Sequence, residues 1–316
     1  MIFPLESLID DQSLRVIKGR VTISNPARLI GHLAYHAMML EVSLHPKPGL
    51  VTSLSSGAHC DMDIGTFEAS AQALLPHMIR FAEQGYCFSE QQMQKKSFGS
   101  NKVDLTVLLA SIRPLGLAAE QSMFSATKGV NTHKGAIFIL GIVCAAMGYL
   151  MKRRGMITPS LIQHTTKSMC AGITRELSQG NANTNGEKVF KKHGIYGVRG
   201  EAEQGFPTLI AGLDVYHSAI ASGRSNDHAM QLALLRCMAT NMDSCLVKRG
   251  GLIGLDFVRN NASKLLSQPF NPVQLRHQLT ALDTEFINRN LSPGGSADFL
   301  SAIWLISQIE LLTQAE

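Results

Sequence analysis

Residues 134–154 read Lys134-Gly-Ala-Ile-Phe-Ile-Leu-Gly-Ile-Val-Cys-Ala-Ala-Met-Gly-Tyr-Leu-Met-Lys-Arg-Arg154. Between Lys134 and Lys152 lies an uncharged run that is at the lower length limit for a membrane span and rich in Gly and Ala, so it is assigned as the buried central helix of a globular protein. Gly141, Ala145 and Gly148 let neighbouring helices approach closely. Upstream, Gly129-Val-Asn-Thr-His133 forms a polar turn that supplies a helix N-cap. His133 and Lys134 then fall in the first turn, where free backbone N–H groups and the helix dipole attract anions. A cation is poorly placed at that end, so Lys134 reads either as a snorkelling surface lysine or as a group that meets an anionic ligand such as phosphate.

Helical periodicity extends outward from this rod, and alternating strand patterns are almost absent. Helices are expected from Asn25 to about Leu44, from Thr66 to Gly85, and at about 102–112, 114–127, 134–153, 159–178, 207–222, 226–241, 251–267, 272–289 and 296–314. The fold class is therefore all-α, a single compact domain of about ten helices over 25–316 preceded by an arm at 1–24. A chain of 316 residues, 45% hydrophobic and 17% charged, can bury a large core. Net charge +5 with only 6% aromatic residues and dispersed basic side chains supports an acidic small-molecule substrate and no nucleic acid. Six cysteines without a CxxC pair suit reduced thiols in the cytoplasm. An acidic N-terminus gives no export signal.

The inter-helix connections carry the chemistry. Several combine glycine with charged or amide side chains, more than a turn requires, and gathered at one end of a bundle they would make a polar, cation-lined cleft. Lys47, Lys134, Arg199, Lys248 and Arg249 each lie in or beside a glycine-containing loop suited to phosphate. Asp61 and Asp63, next to His59, could converge on Mg²⁺, and Asp243 and Asp298 could join them; alternatively Asp61 or Asp63 caps the following helix. His32 and His36 lack the glutamate of a zinc motif. No Walker loop, dinucleotide fingerprint or nucleophile elbow occurs.

In chain order the runs HPKPGLV (45–51), GAHCDMD (57–63), GVNTHKGAIF (129–138), TNGE (184–187), YGVRGEAEQGFP (196–207), MDSCLVKRGG (242–251) and LSPGGSADFL (291–300) resemble the ATP:dephospho-coenzyme A triphosphoribosyltransferase family. The closing runs look more like its citrate-lyase branch than its malonate-decarboxylase branch. The resemblance implies transfer of the 5-triphosphoribosyl group of ATP to the 2′-hydroxyl of 3′-dephospho-CoA with release of adenine. ATP is then a substrate, Mg²⁺ accompanies it, and the product passes on to an acyl carrier protein.

The resemblance also implies a triphosphate clamp of Lys47, Lys134, Arg199 and Arg249, with Mg²⁺ on Asp61 and Asp63. Around it Gly49, Asn131, Thr132, Glu187, Asp243, Lys248 and Asp298 contact substrate, and Gly250, Gly251 and Gly294 permit close backbone approach. Glu201 or Asp63 would oppose oxocarbenium charge and accept the hydroxyl proton, and His59 or His133 would protonate adenine. Glu201 could equally pair with Arg199. Thr52, Ser53 and Cys245 depart from the family pattern. Two alternatives remain beside this one, an N-ribosyl hydrolase and a catalytically impaired ATP- or CoA-binding helical protein.

Overall fold

The computed structural model describes residues 13–17, 20–96, 103–179 and 184–314. A two-stranded antiparallel hairpin, β1 (Leu14–Ile17) with β2 (Arg20–Ile23), precedes twelve α-helices among the described residues. These are α1 (Pro26–Ser43), α2 (Ile64–Lys96), α3 (Thr106–Ala126), α4 (Lys134–Arg154), α5 (Pro159–Met169), α6 (Asn185–His193), α7 (Gly197–Glu203), α8 (Pro207–Ala221), α9 (Asn226–Thr240), α10 (Ser244–Leu266), α11 (Pro272–Asn288) and α12 (Gly294–Gln314). A 3-10 turn, Ile173–Ser178, separates α5 from α6. The arm expected at 1–24 thus contains the hairpin, and its first twelve residues lie outside the described residues.

Every residue of α4 from Ile139 to Leu150 is buried, which is why its sequence shows no polar stripe. It is long and apolar enough to cross a membrane, yet 83% of its apolar window is inside the protein. Small residues let its backbone touch α2. A Cβ on Gly148 would sit 2.0 Å from the Ala82 carbonyl oxygen, and one on Gly85 1.9 Å from that of Ala145. Neither neighbour can yield, because both are helix backbone. Gly148→Val is therefore expected to destabilise by about 3 kcal/mol through overpacking, seen as a lower urea midpoint at unchanged slope.

Two helix groups, α1 to α4 and α8 to α10, meet across α12, which packs on α1, α4, α8 and α9. Its residues Phe299, Leu300, Ile303, Trp304 and Ile306 are buried. This arrangement brings the start of α12 beside the starts of α4 and α10.

Several boundaries differ from expectation. Gly85 is a packing glycine inside α2, which continues to Lys96. Pro114 lies within α3, merging two expected helices. The expected 159–178 helix breaks at Gly172, whose φ of 82° only glycine adopts readily. Short α6 and α7 occupy stretches whose glycine content suggested loops. The helix expected from 251 begins at Ser244 and kinks at Gly251 (φ 63°, ψ −163°).

Candidate functional site

Asp243 ties two helix starts together. As N-cap of α10 its Oδ1 accepts the N–H groups of Cys245 (2.8 Å) and Leu246 (3.4 Å), while Oδ2 accepts that of Ser296 in α12 (3.2 Å). Asn241 donates to the Ser296 hydroxyl at 3.3 Å. Glycine at 295 leaves room for the carboxylate, 3.1 Å from where a Cβ would stand. Asp298, in the first turns of α12, reaches the third start by accepting the Ala136 N–H of α4. A Cβ on Gly135 would lie 1.9 Å from Asp298 Oδ2. Three helix N-termini therefore converge, each with its positive dipole end directed inward.

Burial raises the pKa of Asp243 against the pull of its N–H partners. Asp298 is pushed well above the ordinary carboxylate range by burial and then by the charges of Asp243 and Glu41. Unlike Asp243, which is 2% exposed, Asp298 retains partial access to solvent. Cys245 beside it is accessible, yet desolvation and the Asp243 and Asp298 carboxylates push its thiol up.

The expected cations divide into three kinds. Lys47 is 1% exposed and engaged with Glu41 of α1. Burial pushes the lysine down and the glutamate up, and each charge opposes the other's shift. Arg249 donates to the Ala58 carbonyl (2.8 Å), Asn290 Oδ1 (2.6 Å) and His59 Nδ1 (3.1 Å), pinning the 57–61 loop to α10. Lys248 is exposed and has no ion pair among the described residues. Lys134 pairs with Glu120 of α3 at 2.7 Å, and Arg199 lies near Glu187 (3.5 Å) and Glu176 (3.7 Å).

Arginine can only donate, so His59 Nδ1 must accept from Arg249, leaving Nε2–H to donate to Ser292 Oγ at 2.8 Å. That fixes a neutral tautomer, and burial and Arg249 lower its pKa. His133 is 3% exposed, and burial followed by the Lys47 charge lowers its pKa to about 3. Its Nδ1 meets Ser70 Oγ at 2.7 Å, and Thr132 Oγ1 donates to the same hydroxyl at 2.8 Å. Both imidazoles are thus neutral and held in place, which suits positioning better than proton delivery. The expected cap on α4 comes from Asn131, whose Oδ1 accepts the Lys134 N–H at 3.3 Å.

Among the expected acids, Asp63 is exposed and caps α2 by accepting the Thr66 N–H at 2.9 Å. Asp61 is exposed, 3.7 Å from His59. Glu201 accepts both the N–H (3.0 Å) and hydroxyl (2.7 Å) of Thr208 at the start of α8, and burial raises its pKa. Its partner is Thr208 rather than Arg199. Losing this support in Glu201→Ala is expected to cost about 1 kcal/mol of stability, read from thermal melting.

Thr184 and Glu187 form a capping box on α6, and Asn185 donates to the Ser244 carbonyl at 3.1 Å, so the 184–187 run borders the start of α10. Gly49 (φ 71°) would clash with the Leu291 carbonyl at 2.2 Å if it carried a Cβ, and Gly250 packs on the Leu291 side chain. Gly251 faces open space, and Gly294 lies 4.0 Å from Cys245 Sγ by the same measure. Thr52 and Ser53 are used internally, Thr52 Oγ1 meeting His45 Nδ1 at 3.1 Å and Ser53 donating to the Ser43 carbonyl at 3.2 Å. Glu41 and Ser70 were not singled out in the sequence. Glu41 had a legible signal, an acid on the same helical face as the apolar Ala34, Ala37 and Met38.

The model of the ATP:dephospho-CoA triphosphoribosyl transferase family matches residues 27–316. A protein of Vibrio cholerae serotype O1 (strain M66-2), named as probable 2-(5″-triphosphoribosyl)-3′-dephosphocoenzyme-A synthase, is 43% identical over 297 residues, covering 92% of this chain and 91% of its own. The synthase of that name from Pectobacterium atrosepticum is 42% identical over 275 residues, 86% of each chain. A Photobacterium profundum relative is 42% identical over 294 residues, 92% of this chain and 90% of its own. No solved structure matches the chain.

Proposed function

The chain belongs to the ATP:dephospho-CoA triphosphoribosyl transferase family, and from that premise we infer that it moves the 5-triphosphoribosyl group of ATP onto the 2′-hydroxyl of 3′-dephospho-CoA. The bond between ribose C1′ and adenine N9 breaks, adenine leaves with the electron pair, and the acceptor oxygen bonds to C1′. We propose that the convergent helix starts are where this occurs. The observation that carries the reading is Asp298, a half-buried residue whose carboxyl is raised in pKa and set against Gly135 and Asp243 where three helix starts meet.

Asp298 takes the proton of the attacking hydroxyl, since a base tuned upward from its ordinary range is matched to that task. Asp243 and Asp298 together oppose the positive charge that develops on the ribosyl centre. Lys248, Arg249 and the α10 amides hold the triphosphate, with Lys134 and Arg199 able to exchange their carboxylate partners for phosphate at its outer end. Lys47 acts from behind this surface by neutralising Glu41. Gly135→Ala is expected to displace Asp298 and lower turnover by about 10²-fold with little change in ATP affinity, measured by steady-state kinetics beside calorimetry.

No group of three potential metal ligands occurs among the described residues. The pair expected to hold Mg²⁺, Asp61 and Asp63, is smaller than such a group. A metal carried by the triphosphate needs only one or two protein carboxylates, and exposed Asp61 can supply one. We further place the reaction in the cytoplasm, as six free cysteines suit, within prosthetic-group synthesis for citrate lyase, the product going on to an acyl carrier protein. Incubation with ATP and 3′-dephospho-CoA is expected to release adenine without ADP or AMP. Adenine release that ignores the acceptor would instead indicate N-ribosyl hydrolysis, and ATP binding without product a protein that has lost turnover.

A further inference from the structure

At the opposite end of α10 from the cleft, a groove of about 670 Å³ runs between α8 and α9 and is closed by the segment entering α11. Its volume falls in the range of small-molecule sites, roughly 300–1,000 Å³. Its lining comes from α8, α9 and the connection from α10 to α11, and none of the residues placed at the convergent helix starts is among it.

The lining is chemically divided. His228, Leu232 and Arg236 follow one face of α9 at a spacing of four residues, and Arg224 stands just before that helix. Neither arginine has an ion-pair partner among the described residues, although Asp214 shares the groove. The His228 ring is 3% exposed and its Nδ1 is buried with no hydrogen-bond partner. An unpartnered buried polar atom is costly, and here it belongs to a residue that lines an open cavity. Leu265 and Phe270 make the opposite wall apolar and aromatic.

We propose that this groove is a second ligand site, taking an organic phosphate with an apolar or aromatic body. The guanidinium forks of Arg224 and Arg236 suit phosphate oxygens, and the body of the ligand lies between Leu232 and Phe270. A nucleotide and a phosphopantetheine-type molecule both have this chemistry.

Calorimetry on full-length Arg249→Ala protein, in which the catalytic cleft is weakened, separates them with three probes: ADP, 4′-phosphopantetheine and inorganic phosphate. One organic phosphate is expected to bind one to one, and adding Arg224→Ala with Arg236→Ala is expected to weaken it by about tenfold or more. Phe270→Ala is expected to weaken it as well. In the otherwise native chain the two arginine substitutions should leave melting temperature and triphosphoribosyl transfer unchanged. Affinity unaffected by the arginine substitutions, equal binding of inorganic phosphate, or no binding of any probe would each overturn the proposal. None of these outcomes bears on adenine release, so the site and the transferase activity stand or fall separately.

Discussion

Asp298→Asn is expected to lower the rate of adenine release by about 10²–10⁴-fold while ATP still binds. Asparagine keeps the oxygen that accepts the Ala136 N–H, so the joint between α12 and α4 survives. What disappears is the basic site. The pH profile separates this from a structural effect. In the native enzyme kcat/KM should rise on the acid side through an apparent pKa above the usual carboxylate range, because burial and the neighbouring Asp243 and Glu41 charges disfavour the ionised form. In the asparagine variant that limb should vanish from the residual rate. A variant with native turnover, or one that keeps the same acid limb, would remove Asp298 from the chemistry.

Lys47→Met has the larger effect on stability, about 3–5 kcal/mol, because it leaves Glu41 buried without its counter-charge. Lys47 supplies both effects that lower the glutamate pKa. Without them, the folded-state value rises further above the unfolded one. Such a group contributes stability that is fully present below the unfolded pKa and is lost as pH rises through the folded pKa. The variant should therefore melt closer to the native protein in mild acid than in mild alkali. Adding Glu41→Gln should recover most of the loss, since two neutral side chains then share the cavity. Equal destabilisation at every pH would argue against a buried ion pair.

The fold was legible where periodicity was strong. The uncharged run of α4 is the buried rod it was assigned as, and the cap at Asn25 lies where its sequence suggests, while the second helix is capped by Asp63 rather than Thr66. Boundaries failed where tertiary packing outweighed local chemistry. Gly85 looked like a stop signal but is the point where α2 touches α4, and Pro114 is tolerated within α3.

The gathering of the glycine-containing runs was also legible in kind, and Asp243, Lys248, Arg249 and Asp298 all lie around Cys245. Roles within the cluster were not. Residue type pointed to Glu201 and Asp63 as the base and to Asp298 only as a substrate or metal contact, whereas the structure engages Glu201 and Asp63 at the starts of α8 and α2 and sets Asp298 between the starts of α12 and α4. Lys47 looked like a phosphate ligand because nothing in its loop disclosed that Glu41, six residues earlier on α1, lies against it. Such pairings depend on how helices pack, which spacing along the chain does not encode.

Occupancy of the cleft is the most direct test of the whole account, and Cys245 reports it. With ATP at ten times its dissociation constant, about one tenth of the sites remain open. Maleimide labelling of Cys245, followed by mass spectrometry, should then slow by about that factor, while exposed Cys87 on α2 labels at an unchanged rate. Labelling of Cys245 that is indifferent to saturating ATP would place the nucleotide elsewhere and contradict the assignment of the convergent helix starts as the site of transfer.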